Sequence, residues 1–299
     1  MKRRTRFLFL LLLSAVVSGG TIFILSSAAR AAVYLSFYRT WHATWPVAAG
    51  KRLPENLFPY FGLTSPVWVE VEPGVTMRLD PADLVPRAIL VNRTWEASTT
   101  QELMRRLPAG GTFVDVGAHI GWYTLKAAKV VGPKGRVIAV EPNRETLLQL
   151  RQNIAASGVG SIVTVAPVAC SDSETTLTFY AAGRQNTGKS SLSAANASGG
   201  SDIPASYLVR ARRLDDIVKE TAVSRVDEIK IDVEGAELLV LKGATGTLDR
   251  HRPVVAVEVN DSLLKTMGSS AAELIAFLHS HRYESAGRYE ENMIFLPLP

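Results

Sequence analysis

Apolar and polar positions follow different rules in the two parts of this chain. From Phe7 to Ala29 there is no charged residue, and Phe7–Leu25 reads FLFLLLLSAVVSGGTIFIL. That run is just long enough to cross the hydrocarbon core of a bilayer as one helix. Lys2, Arg3, Arg4 and Arg6 precede it and favour an N-terminus on the cytoplasmic side. A cleavable leader fits the same order of basic start, apolar stretch and small residues, although the stretch is long for one. Residues 1–30 are therefore expected to be a single transmembrane anchor, with a cleaved signal peptide as the alternative. Tyr34, Phe37, Tyr38, Trp41 and Trp45 then recur at helical spacing, either packing on the domain or lying at a membrane surface. Pro46, Pro54 and Pro59 break the chain, so 31–64 reads as an aromatic helix and linker.

Beyond residue 64 the periods belong to a folded domain, 65–299, with its core over 108–260. Val67–Val71 and Val75–Leu79 alternate around Pro73-Gly74, which predicts a hairpin. Ser98 and Thr99, with Gln101 and Glu102 three residues on, predict a capping box opening a helix through Arg106. Short apolar runs at 112–116, 136–140, 162–166, 226–231 and 254–259 predict buried strands. Helices are predicted over 122–131, after Asn143, near 236–241 and after Ser270. Residues 183–204 read as a mobile loop, rich in Gly, Ser and Asn. Continuous apolar strands alternating with helices imply an α/β fold, a mostly parallel sheet with helices on both faces.

Composition narrows the function classes. Of a net charge of +5, four charges lie in the first six residues, which leaves about +1 for the rest and argues against a nucleic-acid-binding face. One cysteine, Cys170, excludes an intrachain disulfide framework and reads as a small buried hydrophobe; five scattered histidines make a dedicated zinc site unexpected.

The chemistry concentrates at strand ends. The strand at 112–116 runs into Asp115-Val-Gly117-Ala-His119-Ile-Gly121, the next ends in Glu141, and the third is followed by Ser171-Asp172. Ligands of open α/β sheets sit at these ends. Glycines there would let a ligand approach the backbone. A carboxylate at 141 could accept both ribose hydroxyls, and Asp172 could face an adenine amino group. The spacing is GxxxG beside an acid, not GxGxxG. An acid would repel a pyrophosphate and suits the cationic S-adenosylmethionine better than NAD.

FVDVGAHIGWYTLKAAKVVGPKGRVIAVEPN, the later IKIDVEGAELLVLKGA and the LDDIV before it resemble the FkbM family of S-adenosylmethionine-dependent methyltransferases, over about residues 90–260. The resemblance implies a class I (Rossmann-like) methyltransferase fold with a seven-stranded sheet, and transfer of a methyl group to a hydroxyl, often on a sugar or related metabolite. It implies cofactor contacts at Asp115, Gly117, Ala118, His119, Gly121, Glu141, Asn143 and Asp172. His119 stands where the family commonly has Asn. A catalytically silent membrane-anchored nucleoside-binding module of the same fold, and an NAD-dependent oxidoreductase, are the alternatives.

A hydroxyl acceptor needs a base or a metal beside it. Asp232 and Glu234 end the fourth strand and Glu258 the fifth, so these three are the expected catalytic acids. Glu237 is expected in the first turn of the next helix, where its charge suits the dipole. Asp232 with Glu258 would permit Mg²⁺, but no metal is assigned. Lys189 and Ser191, in the polar loop, are weaker substrate candidates. The expected partners are a small-molecule, glycan or lipid-linked acceptor and, through the N-terminal segment, a membrane.

Overall fold

The apolar runs around the glycine-rich turn become the middle of one sheet. A computed structural model describes residues 65–198 and 204–299; the anchor or leader, the aromatic helix and the linker proposed for 1–64 lie outside the described residues. Among the described residues no helix is long and apolar enough to cross a membrane.

The strands are β1 (Val67–Glu72), β2 (Val75–Leu79), β3 (Thr112–Val116), β4 (Arg136–Val140), β5 (Val163–Ala166), β6 (Ala169–Cys170), β7 (Thr175–Ala181), β8 (Ala205–Arg212), β9 (Glu228–Ile231), β10 (Val254–Glu258), β11 (Tyr283–Tyr289) and β12 (Asn292–Pro297). Seven of them form the main sheet in the order β11-β12-β10-β9-β3-β4-β5. The run β10-β9-β3-β4-β5 is parallel throughout, and β12 enters antiparallel between β10 and β11. Strand order reverses between β3 and β9, which is where such a sheet opens a crevice at its C-terminal edge.

Alternation along each strand divides the core in two. Phe113, Val137, Ala139 and Ala256 pack on one face with Leu125 and Ala128 of the helix Trp122–Val131. Val114, Val116, Ile138, Val140, Ile229, Ile231, Val255 and Val257 pack on the other with Leu214, Val240 and Leu274. The β1–β2 hairpin is tied to the first face, because Asn153 and Ser157 accept from the backbone N–H groups of Arg78 and Thr76 at 2.7 and 3.0 Å.

Helix punctuation mostly follows the residues that predict it. Asn143 caps Arg144–Ala156 by accepting from Glu145 N–H, and Ser270 caps Ala271–Ser280 by accepting from Glu273 N–H. The helix Ala97–Arg106 is an exception. Its N-cap is Glu96 in the left-handed region, without a side-chain cap bond of its own. The N–H groups of Ser98 and Thr99 instead donate to the Glu290 carboxylate at 2.9 Å each, so a distant acid replaces the expected capping box. The predicted loop at 183–204 is also partly ordered, as a 3₁₀ turn Thr187–Lys189 and a short helix Ala194–Ser198. A helix Leu84–Asn92 and a second sheet, β6-β8-β7, complete the surroundings of the crevice.

One buried acid at the far, N-terminal end of β9 works against the fold. Glu228 is 1% exposed and neither carboxylate oxygen has a hydrogen-bond partner. Burial raises its pKa from 4.5 to about 9, with Arg106 opposing only in part. The folded chain thus holds a proton that the unfolded chain releases above pH 4.5. This group's contribution is fully present below that pH and is lost as pH rises toward 9. At pH 7 the loss is about 3 kcal/mol on this basis. Glu228→Met, similar in length and apolar, is expected to raise stability at pH 8 by about 1–3 kcal/mol and to flatten its decline between pH 5 and 9. Urea unfolding across that range measures both; an unchanged slope would refute the assignment.

Candidate functional site

A cleft opens at the C-terminal ends of β3 and β9, lined by Gly117, His119, Glu141, Thr187, Asp232 and Ala236 among others. One end is apolar, with Val168, Ala169, Phe179 and Leu192 on its wall. That wall comes partly from the small β6-β8-β7 sheet and the polar segment after it, neither of which the strand pattern predicts.

The glycines of the turn are required by packing, not by a ligand. Gly117 has φ +85°, and a Cβ there would sit 1.8 Å from the Asp232 carbonyl oxygen; at Gly121, with φ +96°, it would sit 2.7 Å from Leu150 Cδ1. The turn's donors are also engaged within the protein. Gly117 and Ala118 N–H both donate to Val140 C=O, and Gly121 N–H to Ala118 C=O. His119 N–H donates to Glu141 Oε2 at 2.7 Å. A phosphate-binding nest needs such groups unspent.

Glu141, at the end of β4, is held by this network and keeps 5% of its surface exposed, on the cleft. Its Oε1 accepts from Asn143 N–H (2.8 Å) and the Thr146 hydroxyl (3.0 Å). Roughly four acceptor positions on a carboxylate minus these three bonds leave one open, on Oε2. Burial pushes its carboxyl up to about 7, against hydrogen bonds from Asn143, His119 and Thr146. Asn143 itself faces the polar segment, donating to the Ser190 hydroxyl at 3.1 Å.

Two expected cofactor acids lie off the cleft wall. Asp115 shares a strand parity with Phe113, so it points to the helix side, 2% exposed, and accepts from the Thr124 hydroxyl at 2.6 Å. Burial raises its pKa to about 6. Asp172 turns outward beyond buried Ser171 and accepts from the Ser171 and Ser173 hydroxyls. The shared three-acid cradle is thus reduced to Glu141, and Asp232 supplies the second carboxylate.

His119 links the turn to the polar segment. Its Nε2 lies 2.7 Å from the Thr187 hydroxyl, which in turn donates to Asp83 Oδ2, while Thr187 N–H donates to Asp83 Oδ1 at 3.1 Å. Because that hydroxyl donates onward, it accepts from Nε2–H. Burial lowers the pKa of His119 to about 4, so the ring is neutral. Lys189 is exposed near Glu234, and Ser191, 1% exposed, donates to Glu234 C=O at 2.7 Å. The Ser191 hydroxyl is thereby engaged within the protein, donating to Glu234 and accepting from Ser193 N–H at 3.0 Å.

At the C-terminal ends of β9 and β10 the three expected acids do converge. One carboxylate oxygen each of Asp232, Glu234 and Glu258 lies within 4.8 Å of the others. Glu234 reaches them from a left-handed backbone (φ +56°). Its carbonyl is held by Ser191 and by Asn196 Nδ2 at 2.8 Å, and Glu237 accepts from Val233 and Gly235 N–H to close the turn. Burial raises Glu234 to about 8 and Glu258 to about 10, with repulsion from Asp232 adding to both. The composition-based reading misses Lys230, 1% exposed, whose Nζ lies 3.0 Å from Asp232 Oδ2 and 5.2 Å from the Tyr123 ring centroid. Burial works against its charge, but Asp232, Glu96 and Glu258 together more than offset it and its pKa is raised. A lysine inside an otherwise apolar strand is the signal that could have found it.

The sequence profile described as the methyltransferase FkbM domain matches residues 115–285. The chain belongs to the FkbM methyltransferase family. The family is S-adenosylmethionine-dependent, and this member's doubly covered, mostly parallel sheet is the fold expected of it. This FkbM-family chain is 27% identical over 213 residues to the AMB antimetabolite synthetase AmbE of Pseudomonas aeruginosa, covering 62% of the chain and 10% of that protein. It is 30% identical over 146 residues to the hexuronic acid methyltransferase AglP of Haloferax volcanii, covering 49% of the chain and 54% of that protein. A crystal structure of methyltransferase FkbM from Methylobacillus flagellatus aligns at 18% identity and TM-score 0.42, over 71% of this chain and 52% of that one. The chain thus spans a tenth to about half of these proteins.

Proposed function

We propose that this protein transfers a methyl group from S-adenosylmethionine to a hydroxyl of a sugar, glycan or lipid-linked acceptor. The observation that carries the reading is the charge on the cleft wall. Among the described residues lining it are two carboxylates, Glu141 and Asp232, one neutral histidine, and no Lys or Arg. Such a wall offers oxygen acceptors to a cation and no Lys or Arg to a pyrophosphate, which weighs against a dinucleotide and for a sulfonium nucleoside. The apolar end suits a flat base, and the free acceptor position on Glu141 suits a ribose hydroxyl. When bound, the cofactor would supply an activated methyl group. The chain's own part is to align the acceptor and to take its proton; Asp232 is placed to take it, while Glu234 and Glu258, raised to about 8 and about 10, are placed to orient the acceptor. The hexuronic acid activity of one relative supports a sugar acceptor.

Calorimetry with S-adenosylmethionine and with its demethylated product tests the cofactor. Wild-type protein is expected to bind both, and Glu141→Ala to bind each about 10- to 100-fold more weakly, the worth of a hydrogen bond to a charged or partly charged group. Lack of binding by the wild type, or NADH binding in its place, would overturn the proposal.

Tethering to a membrane through residues 1–30 is part of the same reading, supported by the charge-free run Phe7–Ala29. Fractionation and protease protection in sealed vesicles test both the tether and the side on which the domain lies. Because S-adenosylmethionine is made in the cytosol, a domain on the opposite side would need its cofactor delivered.

A further inference from the structure

We infer that Asp232, Glu234 and Glu258 form a binding site for one hard divalent cation, on the acceptor side of the cleft. The inference deepens the acceptor-side reading, and it depends on that reading only for the ion's role. Two independent features point to it. First, one oxygen from each of the three carboxylates lies within 4.8 Å of the others. Ligands at roughly 2.1–2.5 Å from one ion cannot be more than roughly 5 Å apart, so the side chains already satisfy this condition.

Second, a buried acceptor here has no donor. Glu258 is 9% exposed, and its Oε2 is fully enclosed without a hydrogen-bond partner. Buried oxygens of this kind are normally satisfied, and a cation satisfies several at once.

The charges around the cluster agree. Glu96, Asp232, Glu234, Glu237 and Glu258 act on this corner against Lys230 and Lys189. Lys230 is committed to Asp232 Oδ2, and Lys189 is exposed. With oxygen ligands alone, and no Cys or His in the set, the ion is of the Mg²⁺, Mn²⁺ or Ca²⁺ kind and not Zn²⁺. Placed beside the cleft, it would hold an acceptor hydroxyl and favour loss of its proton.

Chelator-treated full-length protein, without cofactor, would be titrated with Mn²⁺ while the free ion is followed by electron paramagnetic resonance, then with Mg²⁺ and Ca²⁺ by calorimetry. One ion per chain is expected. Glu258→Gln and Glu234→Gln, checked for native circular dichroism, should each weaken Mn²⁺ binding at least tenfold. No saturable binding, or binding unchanged in both variants, would overturn the site. S-adenosylmethionine calorimetry on the same chelated protein reports on the cofactor cleft separately, so the two readings fail or stand independently.

Discussion

Asp232→Asn should lower turnover by about 100- to 10,000-fold, the usual worth of a positioned proton acceptor, and also weaken cofactor binding, since it removes one of the two carboxylates on the cleft wall. Asp232 is the carboxylate common to the cleft wall and the three-acid cluster, so both the acceptor's proton and its alignment depend on it. The variant also strips Lys230, 1% exposed, of the Asp232 carboxylate 3.0 Å away, itself 31% exposed; orphaning a fully buried charge costs roughly 3–5 kcal/mol, and this partly solvated pair less. A loss of activity could then be mere loss of fold. Asp232→Asn combined with Lys230→Met removes the orphaned charge, and the pair separates the two effects. Chemical denaturation should show stability recovered in the double variant, while methyl transfer to a panel of sugars and glycans stays low. Recovery of both would reduce Asp232 to a counter-ion for Lys230.

For Gly117→Ala the expected outcome is a loss of about 3–5 kcal/mol together with loss of activity. Two costs add. A side chain at φ +85° costs roughly 1–2 kcal/mol, and its Cβ would lie 1.8 Å from the Asp232 carbonyl, so β3 and β9 must part at their C-terminal ends. The displaced end of β9 carries Asp232 and Val233, both on the cleft wall. Gly158→Ala is the control, because Gly158 has a similar φ of +68° with nothing within 4 Å of the added atom. It should cost only about 1–2 kcal/mol and leave turnover intact. Equal losses in the two variants would show that backbone strain, and not the close approach of the two strands, accounts for the glycine.

The middle of the fold is well announced by its residues. Gly and Pro bracket the apolar runs so tightly that β3, β4 and the helix Trp122–Val131 fall on the predicted boundaries. Local capping is legible where donor and acceptor are close in sequence, as at Asn143 and Ser270. It fails at residues 97–106, where the capping carboxylate comes from Glu290, nearly two hundred positions away. The site divides in the same way. Strand ends locate Glu141, Asp232, Glu234 and Glu258, because the parallel sheet brings its C-terminal ends together. Which way a side chain points is a matter of strand parity, and Asp115 shows it: one residue from Val116, it faces the opposite side. The β6-β8-β7 sheet and the order in the polar segment come from long-range pairing, which composition does not encode.

One stretch of chain, 187–196, touches both ends of the crevice. Thr187 and Ser190 reach the turn at His119 and the cap at Asn143, while Ser191 and Asn196 grip the carbonyl of Glu234. On the proposed function, the compartments for nucleoside and acceptor therefore share a wall in the literal sense. Neither can be reshaped alone: a lineage that changes its methyl acceptor by altering this stretch inherits a changed nucleoside fit, and compensation is to be sought at the opposite end of the same ten residues.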